Sequence, residues 1–194
     1  DEHTPTAAFL QLRVQFRSSS TYFKIYQRQE LIAHELAHVG RMAYHEPQFE
    51  ELLAYQSSTS SWRRWFGPIV QSSRETLWFI ILLGIVILSD FALISNGASL
   101  GAIAWIIKLM PIALVLFALG RLFNRHRFIK RCLQNLETLY SPKIARHVLY
   151  RLRDSEIKKF AGLTPIEIQT MIVALAKDSF RWYFLKTNYE AIIK

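Results

Sequence analysis

With one cysteine in its 194 residues, Cys132, the chain can form no internal disulfide. Its soluble parts therefore need no oxidising compartment, and a lone thiol of this kind usually packs as a small apolar group. Internal repeats and low-complexity segments are absent, which excludes solenoids and extended linkers. The opening stretch "DEHTPTAAFLQLRV" lacks the basic-then-apolar order of a secretory leader and has no initial Met, the expectation being a start that is trimmed or processed. Acidic residues are in the minority, 15 against 24 Lys and Arg, for a formal charge of +9. Such a charge suits nucleic acid, an anionic membrane surface or the cytoplasmic flanks of membrane helices. No helix-turn-helix or RNA-binding motif accompanies it, so nucleic acid is not an expected partner.

The chain is richer in apolar residues than its charge suggests: 51% are hydrophobic although 20% are charged. The two kinds are segregated. Leu77–Ser95 and Leu100–Gly120 are apolar runs of the length a helix needs to cross a bilayer, about 20 residues. Only "NGAS" separates them, and Asn96 and Gly97 are turn formers, so the pair reads as a transmembrane hairpin. Basic flanks, "SWRRWFGPIVQSSR" before and "RLFNRHRFIKR" after, contrast with a tip that has no Lys or Arg. The positive-inside rule then expects an integral, multi-pass membrane protein with both termini cytoplasmic and the lipid bilayer as a partner. Trp62, Trp65, Phe66 and Trp78 suit an interfacial aromatic belt. Asp90 and Lys108 interrupt the two runs at comparable depth, where pairing across the hairpin would offset the cost of burying either.

Ahead of the hairpin, "FLQLRVQF" alternates Leu10, Leu12, Val14 and Phe16 with polar residues, the pattern of a half-buried strand from Phe9 to Phe16. Helices are expected from Gln27 to Tyr44 and from Pro47 to Ser58. After the hairpin the chain reads as helical to its end. Ser141-Pro142 marks a helix start, Gly162 a stop, and "TPIE" at Thr164–Glu167 a capping box opening a helix from Pro165 to about Lys186. His126 and His147 have no spaced partner and are expected to be surface or packing residues.

Chemistry concentrates in "HELAH", His34 to His38. Four residues apart on a helix, His34 and His38 direct their imidazoles to one side, and Glu35, about 100° round, can reach a water held there. Zinc takes such nitrogens as ligands, with water in an open position, and the expected cofactor is one Zn2+ with Glu35 as general base. The uncharged neighbours Leu31, Ile32, Ala33, Leu36, Ala37 and Val39 suggest a buried helix. Four residues compete to complete the ligand set: Glu51, Glu50, His45 and Glu46. Glu50 lies about 100° from Glu51 on its helix, so both cannot face the ion. On a continuous helix His45 would be about 10 Å from His38 along the axis. Arg41, one turn past His38, can clamp a substrate carbonyl or a ligand carboxylate, or pair with Glu46 or Glu50. Tyr55 can support a ligand histidine or an oxyanion, or simply pack.

These residues resemble zincin metallopeptidases, in which an edge strand above the metal helix aligns extended substrate. The metzincin pattern does not fit, because Gly40 and His45 are each displaced by one place. "EELLAY" is similar to the third-ligand helix of gluzincins, and the resemblance is to membrane-integrated members of that group. It implies Glu51 as the third zinc ligand and Ala54 as the small residue that lets the two helices approach, while Tyr55 stands where the family often has Asp.

The expected architecture is mainly α: a small zincin-like α+β metallopeptidase domain at 1–76, a transmembrane hairpin at 77–120 and a C-terminal helical domain at 121–194. The expected activity is hydrolysis of a peptide or membrane-protein substrate. Two other readings remain open: a membrane-tethered interaction module whose zinc site is structural or vestigial, and a soluble adaptor that buries the hairpin in a partner.

Overall fold

A computed structural model describes residues 9–22, 26–70, 73–96 and 102–189. It is mainly helical, and the only strands among the described residues, Thr21–Tyr22 (β1) and Tyr26–Gln27 (β2), form a short antiparallel pair. The chain divides into two compact units, Asp1–Trp65 together with Arg125–Lys194, and Phe66–Asn124. Sequence on both sides of the apolar hairpin thus contributes to one unit.

The strand expected from Phe9 to Phe16 does not form. Phe9–Arg13 has no regular structure and Val14–Arg17 is a 3-10 turn. Of the four alternating apolar residues only Phe16 is buried, and among the described residues no strand pairs with this segment to complete a half-buried face.

In the first unit, α1 runs from Arg28 to Arg41. Glu30 in its first turn complements the helix dipole and is buried against Arg63 at 2.8 Å, which ties α1 to α3 (Ser61–Phe66). The helix was expected to reach Tyr44, but its last turn tightens to 3-10 at Met42–Tyr44 and ends at His45 in the left-handed region, φ 52°. That conformation usually belongs to Gly or Asn. It reverses the chain into α2, Glu50–Tyr55, shorter than the expected span from Pro47 to Ser58 and packed on α1. Phe49, Leu52, Leu53 and Ala54 are all fully buried. Leu52→Ala is accordingly expected to cost about 2–5 kcal/mol, read as a drop in denaturant midpoint.

The C-terminal part supplies the other half of this core. α5 (Ala102–Leu139) buries Ile129, Cys132 and Leu136 on one stripe, spaced as a helix face requires. α6 (Pro142–Tyr150) and α7 (Asp154–Phe160) add Val148, Leu149, Ile157 and Phe160. Asn135 on α5 donates to the carbonyls of Phe160 and Leu163 at 2.8 and 2.9 Å, satisfying the end of α7. The helix expected from Pro165 to Lys186 is two: α8, Pro165–Asp178, and α9, Phe180–Asn188, divided at Ser179, whose backbone is extended. His126 stacks on Trp65 with centroids 4.4 Å apart and His147 lies parallel to Tyr189, both in packing roles.

At the start of α8 the expected capping box forms, with Thr164 and Glu167 exchanging hydrogen bonds. The Thr164 backbone N–H, and then its hydroxyl, hold the Glu167 carboxyl below its ordinary value. Its stabilisation is therefore present above the unfolded carboxylate value and lost as pH falls through the lowered one. The Glu167 side-chain titration followed by NMR should show this depressed midpoint, and Thr164→Ala should raise it.

In the second unit, α4 spans Ser73–Asn96 and α5 begins at Ala102, continuing to Leu139 rather than ending at Gly120. Asn96 ends α4, and the rest of the expected "NGAS" turn lies outside the described residues. Both helices are long and apolar enough to cross a membrane, and 0% and 11% of their most apolar windows are buried within the chain. A helix serving as the core of a soluble domain would be mostly covered. Among the described residues two ion pairs join α4 to α5: Glu75 with Arg121, bidentate at 2.5 and 2.8 Å, and Asp90 with Lys108 at 2.9 Å. Helical rise places the two pairs about 20 Å apart, and neither helix carries a charged residue between them.

Candidate metal centre

The α1 to α2 packing brings two ligand-bearing faces together. On α2, the buried run Leu52, Leu53 and Ala54 takes one side, which leaves Glu51 and Tyr55, four residues apart, on the side that meets His34. Ala54 is fully buried in this short helix, in keeping with the close approach the resemblance implied.

His34 and His38 place their Nε2 atoms 3.3 Å apart, with ring centroids 5.0 Å apart and an edge-on arrangement. Glu51 lies across from both: one carboxylate oxygen is 3.6 Å from His38 Nε2 and the other is 3.9 Å from His34 Nε2. One ligand atom from each of the three residues falls within 4.8 Å of the others. Zinc bonds of about 2.0–2.1 Å in tetrahedral geometry separate two ligand atoms by about 3.3–3.4 Å. The histidine pair already has that spacing, and a modest closure of Glu51 completes it. Two imidazoles and a carboxylate are also a donor set that zinc favours, so the residues fit the ion.

Glu50 does something different. Its Oε1 is 2.8 Å from His38 Nδ1, so with the proton on Nδ1 the ring donates to Glu50 and turns an Nε2 lone pair towards the shared centre. The two adjacent carboxylates thus divide the roles that the helix period required them to divide. Among the described residues neither His45 nor Glu46 belongs to the ligand group. The Glu46 carboxylate instead accepts from the Asp154 backbone N–H.

The Tyr55 ring meets the His34 ring edge-on, centroids 4.7 Å apart. Burial first, and the Glu51 carboxylate second, push its phenol above the ordinary value, so Tyr55 is protonated at neutral pH.

Arg41 takes neither of the roles expected of it. It is 2% exposed, and its guanidinium donates to Asp154 at 2.7 Å and to the carbonyls of Leu152 and Tyr150 at 2.6 and 3.3 Å. Burial on this scale makes it unreachable for substrate, and a carboxylate 113 positions away replaces Glu46 and Glu50 as its partner.

The expectation of a wholly buried metal helix also needs correction. Leu36 and Val39 are exposed, and they line a cleft of about 400 Å³ with Phe9, Leu10, Met42, Glu35, His38 and Glu50. A second cleft of about 320 Å³, bounded by Arg13, Tyr22, Tyr26 and Leu31 among others, also reaches Glu35 and Leu10. Leu36 and Val39 thus face an opening rather than a core.

No protein-family model, curated protein or solved structure matches the chain. The geometry of His34, His38, Glu50 and Glu51 is therefore the foundation for any functional reading.

Proposed function

We propose that the protein is a membrane-anchored zinc metallopeptidase. The observation that carries this is the convergence of His34, His38 and Glu51 as a three-residue ligand group beside clefts that both reach Glu35. Three protein ligands are the number associated with catalytic zinc, whereas structural sites usually use four. Zinc held there supplies Lewis acidity and an acidified water. Glu35 is exposed and outside the ligand group, so its carboxylate would be free to take the proton of a water attacking the peptide carbonyl. As the C–N bond breaks, Glu35 returns the proton to the leaving nitrogen. Glu50 holds His38 in the tautomer that keeps its Nε2 available.

The two clefts that both reach Glu35 give an extended peptide room to lie beside the site, and the exposed Leu36 and Val39 favour apolar substrate side chains. With α4 and α5 spanning the bilayer, the basic flanks around Arg63, Arg64, Arg74, Arg127 and Lys130 orient the site towards the cytoplasm. Peptides and segments of membrane proteins are the substrates in reach of such an anchored site.

The test is metal analysis of the detergent-purified protein alongside hydrolysis of a peptide library, with and without a zinc chelator. About one zinc per chain and chelator-sensitive cleavage are expected. Zinc binding with no cleavage of any peptide would return the site to a structural role, and absence of zinc binding would remove it altogether.

A further inference from the structure

α2 begins without a cap of its own: Phe49 precedes it, and no side chain within the segment accepts from its first amides. The turn that leads into it is held instead from the other half of the chain. Asp154 Oδ2 receives the backbone N–H groups of Gln48 at 2.8 Å and Phe49 at 3.4 Å, immediately before Glu50 and Glu51. Its Oδ1 receives the guanidinium of Arg41, the last residue of α1, three positions after His38. In return the Asp154 N–H donates to Glu46, in the loop joining α1 and α2. Tyr44 and Tyr150 add two further bonds between the same segments, to the carbonyls of Arg151 and Leu53 at 3.0 and 2.8 Å.

We infer that Asp154 is a positioning residue of the metal centre, spacing Glu50 and Glu51 against His34 and His38 by joining the end of α1 to the start of α2 through one carboxylate. The inference rests on the metal reading of that centre. His38 and Glu51 sit on separate helices joined by a loop that contains a left-handed residue, so the loop alone sets their separation weakly. Asp154 is buried and bonded to both sides of it, which removes that freedom. Removing the carboxylate leaves Arg41 as an uncompensated buried charge and frees the amides before Glu50. Outer-shell partners of this kind change metal affinity by about 10–100-fold.

The experiment uses the full chain in detergent and titrates zinc against a chromophoric chelator for wild type, Asp154→Asn, Asp154→Ala and Asn135→Ala. Asn135 joins α5 to the end of α7 in the same unit, its side-chain amide bonding Phe160 and Leu163 rather than α1 or α2, so its variant measures loss of stability alone. The expected result is a 10–100-fold weaker zinc affinity in both Asp154 variants and unchanged affinity in Asn135→Ala. Cobalt substituted for zinc should show altered visible absorption in both Asp154 variants and not in Asn135→Ala. In wild type, zinc should slow hydrogen exchange at the Gln48 and Phe49 amides and at the Asp154 amide, a readout that survives if the variants fold poorly. Equal affinity in wild type and Asp154→Asn, an equal loss in Asn135→Ala, or no zinc effect on those amides would overturn the inference while leaving the metal centre standing. A wild type that binds no zinc would overturn both.

Discussion

Glu35→Gln is expected to retain zinc and to lower peptide hydrolysis by about two to four orders of magnitude, the range associated with a positioned general acid–base group. The amide matches the carboxylate in size and is a comparable helix former, so α1 should not move. Glu35 is outside the ligand group of His34, His38 and Glu51, so metal content should stay at the wild-type level. What the amide cannot do is take a proton from the attacking water. The loss should therefore fall on kcat, with KM close to wild type, because substrate contacts with the clefts around Leu36 and Val39 are untouched. Metal analysis and steady-state kinetics on the same preparation decide the matter. Zinc lost in parallel with activity would make Glu35 a ligand, and full activity would remove it from the chemistry.

How much of this centre was legible from sequence depends on the range over which each feature is determined. The approach of His34 to His38 follows from the helix period alone, and the 3.3 Å between their Nε2 atoms is what positions four apart produce. The capping box at Thr164 and the long apolar helices are equally local. Hydropathy marks where a bilayer-spanning stretch stops but says nothing about where a helix stops. α5 therefore runs past Gly120 through Arg121, Arg125 and Arg127, residues that favour helix as readily as they favour water. The break at Ser179 is hidden in the sequence for a related reason. The periodicity continues across it, and the single indication was a serine suited to precede a new helix.

Features that depend on a distant partner left no such trace. The alternation of Leu10, Leu12, Val14 and Phe16 is necessary for a half-buried strand, yet a strand also needs a neighbour, and among the described residues the only strand pairing joins Thr21–Tyr22 to Tyr26–Gln27. Asp154 reads in sequence as one acidic residue in the polar run "RDSE". Only the fold shows that it meets Arg41 and the amides of Gln48 and Phe49. The C-terminal helices, which carry no metal-binding pattern themselves, thereby become part of what shapes the centre.

Glu51→Ala should weaken zinc binding more than Glu50→Ala, and that order is the sharpest test of how the two carboxylates divide their work. Glu51 faces both Nε2 atoms, so its loss removes a ligand outright and leaves two imidazoles to hold the ion. Glu50 faces only Nδ1 of His38, so its loss frees the tautomer and tilt of one ring while all three ligands remain. That second effect belongs to the range of outer-shell partners, about 10–100-fold in affinity, and the first should exceed it. Glu50→Gln should be milder still, because the amide oxygen can accept from Nδ1–H. His45→Ala should leave affinity unchanged, since His45 ends a 3-10 turn outside the ligand group. Competition titrations on the four variants give the ranking directly. A larger loss in Glu50→Ala than in Glu51→Ala would transfer the ligand role to Glu50 and require α2 to rotate by about 100° about its axis, which the buried Leu52, Leu53 and Ala54 oppose.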